Sequence, residues 1–270
     1  MHNVPGFDHQ PASTLRAKAR QDILARYDTI KFEDVAINSV KRLEDGTFEA
    51  VDARGGVWKA PKVILATGVR DLLPPIPGYE ELWKAHRIFH CLFCSGYEDR
   101  GGPSVGVLAV DVNLADPFKA LHVAHMAGRL AERVRIYTDG NNELASNITG
   151  ELKSEEVYVI EPRKVVKLSP TPENPLSIVV HLEDGTEFTE SFIAHTPRTE
   201  VNGPFAQQLG LELTPMGDIQ TFPPFQTTSV PGVFAAGDCG TMIKSVLTAM
   251  MHGGLALVGA TARALPPMPK

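Results

Sequence analysis

Apolar and polar positions along this chain change their spacing several times, and the changes outline its elements. Residues 12–27 (ASTLRAKARQDILARY) read as a helix. Apolar residues alternate through TIKFEDVAINSVKRL and on through EDGTFEAVDARGGVWKA, where Asp45-Gly46 and Gly55-Gly56 are hairpin turn signals. KVILATG (62–68) is a buried strand running into a glycine turn. LLPPIPGYEEL follows as a connection, since proline continues neither a helix nor a central strand. A boundary is expected around Arg100-Gly101-Gly102-Pro103. Beyond it, SVGVLAV reads as strand, DPFKALHVAHMAGRLAE as helix and RVRIYTD as strand, which is a βαβ unit. EVYVIEP, KVVKLS and LSIVVHLEDGTEFTESFIAH supply further strands. From about 195 the chain returns through TPRTEVNG to GVFAAGDCG and a last helix, KSVLTAMMHGGLALVGATARAL. The pattern predicts one α/β domain inserted within another.

Composition narrows the function classes. With 43% hydrophobic and 21% charged residues, the chain has enough apolar material for a core. A formal charge of −6 offers no basic footprint for nucleic acid or anionic membrane. No apolar run approaches the ~18–20 residues that span a bilayer. MHNVPGFDHQ lacks the basic and apolar regions of a secretory signal, so a cytoplasmic location is expected. Three cysteines in such a chain make no disulfide scaffold.

Two of those cysteines stand in HCLFCSGYE (90–98). A C-x-x-C in this setting is a metal site or a redox pair. For zinc, His86, His90, Cys91 and Cys94 are all suitable ligands. Adjacent His90 and Cys91 are awkward in one tetrahedral shell, however, and no second pair follows at finger or ribbon spacing. Cys239 reads as a small buried residue. The most specific signal is PGVFAAGDC (231–239), a short apolar strand ending in Gly237-Asp238 ahead of a small-residue-rich helix. A carboxylate there can hydrogen-bond a sugar or ribitol hydroxyl, the glycine lets backbone approach a ligand, and the helix start offers free N–H groups. VILATG repeats the strand-to-glycine idea.

Taken in order, ILATG, C-x-x-C, a βαβ unit and FAAGD resemble the low-molecular-weight thioredoxin reductase family, and HNVPGF resembles its FAD-contacting start. HCLFCSGYE and VGVLAVD look closer still to a fungal branch of gliotoxin-type FAD-dependent dithiol oxidases. The resemblance covers nearly the whole chain. It implies two three-layer α/β nucleotide-binding domains, an FAD-type one from 1–99 and 196–270 and an NAD(P)-type one from 100–195. It implies FAD as cofactor, a homodimer, and a small-molecule dithiol or disulfide, or a thioredoxin, as partner. Cys91 and Cys94 become the redox pair, Cys94 next to the flavin and Cys91 exchanging with substrate through a mixed disulfide, with His90 as candidate base. Asp238 would hold the ribitol chain. Asn3, Val35, Ala66, Gly68 and Gly237 match positions that approach FAD, and Lys244-Ser245-Val246 opens the helix facing the flavin. Val35 and Ala66 read equally as core, and Lys244 as a solvated cap.

Three departures qualify the resemblance. Ser95 replaces the Asp or His expected after the second cysteine, and its hydroxyl is too weak an acid to serve as proton donor. The candidate nucleotide turn Gly106–Asp111 keeps only its first glycine, and YTDGNN lacks a basic pair for a 2′-phosphate, so NADPH is uncertain and an oxidase is favoured. No G-x-G-x-x-G occurs, so the FAD-type domain is expected to lack its first strand–turn–helix unit, to hold FAD weakly and to fold marginally. The activity implied is FAD-dependent thiol–disulfide oxidoreduction, with dithiol oxidation in fungal secondary metabolism as the finer reading. An NADPH-dependent thioredoxin reductase and a catalytically impaired remnant that only binds or dimerises are the alternatives.

Overall fold

A computed structural model describes residues 1–152, 157–172 and 174–261. In chain order the elements are α1 (Ala12–Leu24), β1 (Ile37–Arg42), β2 (Phe48–Asp52), β3 (Val57–Ala60), β4 (Val63–Leu65), β5 (Val69–Leu72), α2 (Tyr79–Lys84), β6 (Ile88–Phe89), β7 (Val105–Leu108), α3 (Asp111–Leu114) and α4 (Pro117–Ala127). There follow β8 (Val134–Tyr137), α5 (Asn142–Glu151), β9 (Tyr158–Glu161), β10 (Val165–Pro170), β11 (Ile178–Leu182), β12 (Glu187–Glu190), β13 (Ile193–Ala194), β14 (Arg198–Val201), α6 (Phe205–Gln208), β15 (Val233–Ala235) and α7 (Val246–Thr261). The last four residues of the expected final helix, 262–265, lie outside the described residues. No described helix is long and apolar enough to cross a membrane.

The chain divides into two compact units, one of residues 1–3 and 71–198, the other of 4–70 and 199 onward. The first division therefore falls at 70/71, not at the glycines of 100–103, and the second at 198/199. The cause is burial: Tyr79, Leu82 and Ile88 are core residues of the inserted unit, and Phe89 belongs to its other core. The proline-rich stretch also runs straight into a helix, α2, at Tyr79.

The inserted unit is built on a five-stranded sheet in the order β6-β13-β7-β8-β9, with every pair parallel. Alternation along its strands sorts side chains to two faces. Val105, Val107, Val134 and Ile136 pack with Leu121 and Ala124 of α4 and Leu144 and Ile148 of α5. Leu108, Tyr137 and Ile193 pack with Tyr79 of α2 and with Val165, Leu168, Ile178 and Val180 of an antiparallel meander, β10-β11-β12. The result is three layers: helices, parallel sheet, meander. Glu190 at the end of the meander is fully buried and accepts hydrogen bonds from Arg135 (2.6 Å) and Tyr137 (2.6 Å) of β8. Burial and that carboxylate push the Tyr137 hydroxyl far up from its ordinary range.

The other unit holds an antiparallel meander, β1-β2-β3, and a parallel pair, β15-β4. Its core joins Val40 and Phe48 to Leu65, Ile219, Val233 and Ala235. Helix α1 buries none of its residues, so its helicity rests on Ala, Leu, Arg and Lys propensity and the Lys18–Asp22 ion pair.

Candidate active site

The C-x-x-C segment hangs between two fixed points of the inserted unit. After α2 the chain reverses through His86, whose left-handed φ of 58° ends the helix, and enters the buried strand β6. Next to β6, the Arg87 guanidinium donates to Asp99 (2.8 Å) and to the Ser191 carbonyl, which ties down both ends of segment 88–98. Gly96 is buried, and a Cβ there would stand 3.1 Å from Leu130, so the loop passes close to its neighbour.

Cys91 and Cys94 are joined in a disulfide with a Cα–Cα distance of 5.3 Å. The amides of Cys94 and Ser95 both donate to the Cys91 carbonyl (3.1 Å each), which shapes the turn. Cys91 is half-buried and Cys94 exposed, beside the exposed rings of Phe93 and Tyr97. The imidazole that reaches this segment is that of His86: its Nε2 lies 3.2 Å from the Ser95 hydroxyl. The sequence pointed instead to His90, whose exposed ring lies 5.9 Å from that of Trp83. The hydroxyl that looked inert in the sequence thus has an imidazole partner nine residues upstream.

In the other unit, VILATG and VFAAGD run side by side. Val63 pairs with Val233, Ile64 with Phe234 and Leu65 with Ala235, so both glycine turns leave the same edge. Gly68 and Gly237 are left-handed, with φ of 67° and 74°. With the start of α7 they enclose a cleft of about 320 Å³ lined by Ala66, Gly68, Gly237, Asp238, Ser245, Val246, Ala249 and Gly253, with Ala236 beside them. Six of the nine residues named from the sequence for FAD meet here. The other three do not line it. Asn3 has a left-handed φ of 60° in the terminal residues grouped with the inserted unit, and Val35 is half-buried ahead of β1. Lys244 is a staple: its ammonium donates to Asp218 (2.8 Å) and to the carbonyls of Thr241 (2.8 Å) and Asp238 (3.2 Å). Cys239 is fully buried, its thiol 3.4 Å from the Leu65 and Ala236 carbonyls. The cleft fits the flavin and ribityl portion of FAD. It has small side chains, open space where a Cβ on Gly68 or Gly253 would stand, and a carboxylate at a strand end.

A second, larger cleft of about 760 Å³ lies in the inserted unit, lined by the 72–77 segment, Val110, Asp111, Asp139, Lys164 and Arg198 among others. Gly106 is inside β7, where a Cβ would stand 3.1 Å from the Tyr137 ring; it serves strand packing, not a nucleotide turn. The turn itself is Ala109-Val110-Asp111, and this donor set does not suit a dinucleotide diphosphate. Close by, Tyr79 and His195 are buried and hydrogen-bonded, hydroxyl to Nδ1, at 2.7 Å. Burial lowers the His195 pKa to about 4, partly offset by the Asp111 charge. Neither member of this pair was legible in the sequence.

Comparison with known proteins agrees with this architecture. The family profile described as pyridine nucleotide-disulphide oxidoreductase matches residues 12–253. A thioredoxin reductase of Aspergillus oryzae, aclD, is 42% identical over 96% of this chain and 82% of its own length. The thioredoxin reductase sirT of Leptosphaeria maculans is 40% identical over 94% of this chain and 78% of its own. Among solved structures, an oxidoreductase from Agrobacterium tumefaciens superposes with a TM-score of 0.78 at 27% identity, covering 96% of this chain and 82% of that one. A putative thioredoxin reductase from Bacillus anthracis, at 20% identity and a TM-score of 0.80 over 96% of this chain and 83% of that one, shares the fold.

Proposed function

We propose, from the premise that this chain belongs to the pyridine nucleotide-disulphide oxidoreductase family and is an oxidoreductase of thiols and disulfides, that it oxidises a small-molecule dithiol to a disulfide in fungal secondary metabolism. Members of the family bind FAD and use NADPH. The observation that carries the reading is the Cys91–Cys94 disulfide on a loop where Cys94 is exposed, with the His86–Ser95 contact at the residue that follows it in the chain.

The disulfide exchange balances on this chain's own groups. A substrate thiolate attacks one sulfur of the Cys91–Cys94 bond, forming a mixed disulfide and releasing the other cysteine as thiolate. The second substrate thiol displaces the first cysteine, so the substrate leaves as a disulfide and the enzyme holds two thiols. Ser95, which follows Cys94 in the chain, passes a proton between His86 and the released cysteine thiolate. This supplies the acid–base function that the serine lacks alone. FAD, when bound, would supply the two-electron acceptor for the cysteine pair, with dioxygen as the terminal oxidant. Gly68, Gly237, Asp238 and the start of α7 would hold it.

The resemblance of HCLFCSGYE and VGVLAVD to gliotoxin-type oxidases supports the dithiol reading. Reduction of a thioredoxin with NADPH is the second reading, favoured by the names of the relatives. The test is an anaerobic dithiol titration of the purified protein followed by visible absorption. Bleaching of a flavin band in the wild type, lost in C91S and C94S, is expected. A flavin that stays oxidised beside intact cysteines would overturn the proposal.

A further inference from the structure

The turn leaving β7 carries a carboxylate at the place where a doubly wound domain brings backbone amides to a diphosphate. In such sheets the ligand sits beyond the carboxyl ends of the parallel strands, its diphosphate against the first turn and the helix that follows. Here that turn is Ala109-Val110-Asp111, which has no glycine to let backbone approach. Asp111 is held at a left-handed φ of 68° and lines the cleft. Its Oδ1 is buried and has no hydrogen-bond partner.

The helical amides downstream are equally unavailable. Helix α3 is a single turn, anchored by Asn113 to the Pro197 carbonyl (2.8 Å). The first helix of useful length, α4, begins with Pro117, which has no N–H, and is capped by Asp116, which accepts from the Lys119 amide (3.0 Å). A second carboxylate therefore occupies the position of the anion. The cleft's cations, Lys164 and Arg198, come from the segments before β10 and at β14. Asp139, beside them in the lining, accepts from the Val165 amide (2.8 Å).

We propose that Asp111 is a specificity-determining residue that closes this cleft to pyridine dinucleotides by placing a half-buried carboxylate, one oxygen of which is buried without a hydrogen-bond partner, where their diphosphate would lie. The proposal rests on the family assignment of the inserted unit and not on the thiol chemistry, so the two fail separately. It removes the nicotinamide route for electrons. Reduction of a thioredoxin with NADPH is disfavoured, and dithiol oxidation keeps only routes that bypass this cleft.

The test is direct binding to the full chain, by equilibrium dialysis at low salt with NADPH and, separately, NADH. The wild type is expected to show no saturable binding in the micromolar range. D111N keeps the shape and tolerates a left-handed φ, because asparagine adopts that region readily. It should bind at least tenfold more tightly, and D111G more tightly again. Micromolar binding by the wild type would overturn the proposal. So would a folded D111N, judged by circular dichroism, that binds no better than the wild type. Should D111N not fold, D111G is read against the same threshold.

Discussion

The Ser95 hydroxyl stands 3.2 Å from Nε2 of His86, immediately after Cys94 in the chain. That contact joins an imidazole to the residue that follows the redox pair in the chain. Positioned general acids or bases contribute ~10²–10⁴-fold. H86Q is therefore expected to slow thiol-driven flavin reduction at least tenfold. S95A should behave like H86Q, and the double variant should lose no more than either alone. Stopped-flow bleaching of the flavin checks this. Additive losses in the double variant would show that the two do not act as a unit.

The sequence offers Lys244 as the start of a helix facing a cofactor or as a solvated cap, and the structure gives its ammonium a further task. Its ammonium ties Asp218, which is 5% exposed, to the Asp238–Thr241 turn beneath α7. Removing one partner of a largely buried pair strands the other charge, at a cost of ~3 kcal/mol. K244M should lower the chemical-denaturation midpoint accordingly. If K244M unfolds at the wild-type midpoint yet loses flavin, the direct-contact reading is the right one.

Much of the architecture was legible because it is local. The strand–helix–strand run from Val105 to Tyr137 and the twin motifs VILATG and VFAAGD follow from periodicity and glycine placement. What was missed depends on distant partners. The unit boundary moved because Tyr79 and Leu82 find their core far along the chain, against Val165, Leu168 and Ile178. Ser95 meets His86 only because a left-handed residue turns the chain between α2 and β6. Helix α5 did carry a local signal, Asn141 capping the Leu144 amide (2.9 Å) ahead of Leu144, Ala145 and Ile148 at helical spacing. Its polar NNELASNITGE wording obscured it.

Gly253 isolates the flavin cleft from the fold. It lies inside α7, lines the cleft, and a Cβ there would meet nothing within 4 Å. Alanine is favoured over glycine in a helix interior by ~1 kcal/mol, so keeping glycine there preserves space. G253A should hold or raise the melting temperature. G253L should remain folded while the bound flavin falls to background in the absorption spectrum. Full flavin retention in folded G253L would place the cofactor elsewhere.

His195 makes stability depend on pH in a definite direction. Fully buried, hydrogen-bonded to Tyr79 at 2.7 Å, it has its pKa lowered from 6.5 to about 4. Between those values the unfolded chain takes up a proton that the folded chain refuses, so stability rises with pH through the window. The contribution is complete above about 6.5 and is lost progressively as pH falls toward 4, by ~3 kcal/mol in all. Burial holds the Tyr79 hydroxyl well above its ordinary range, so it stays protonated throughout and adds no slope. H195Q replaces the imidazole with a group that does not titrate. Urea unfolding at several pH values should show a shallower dependence for H195Q between 4.5 and 6.5, with the two proteins differing least at the acid end. Parallel slopes for the two proteins would mean that His195 is protonated in the fold and that Asp111 outweighs its burial.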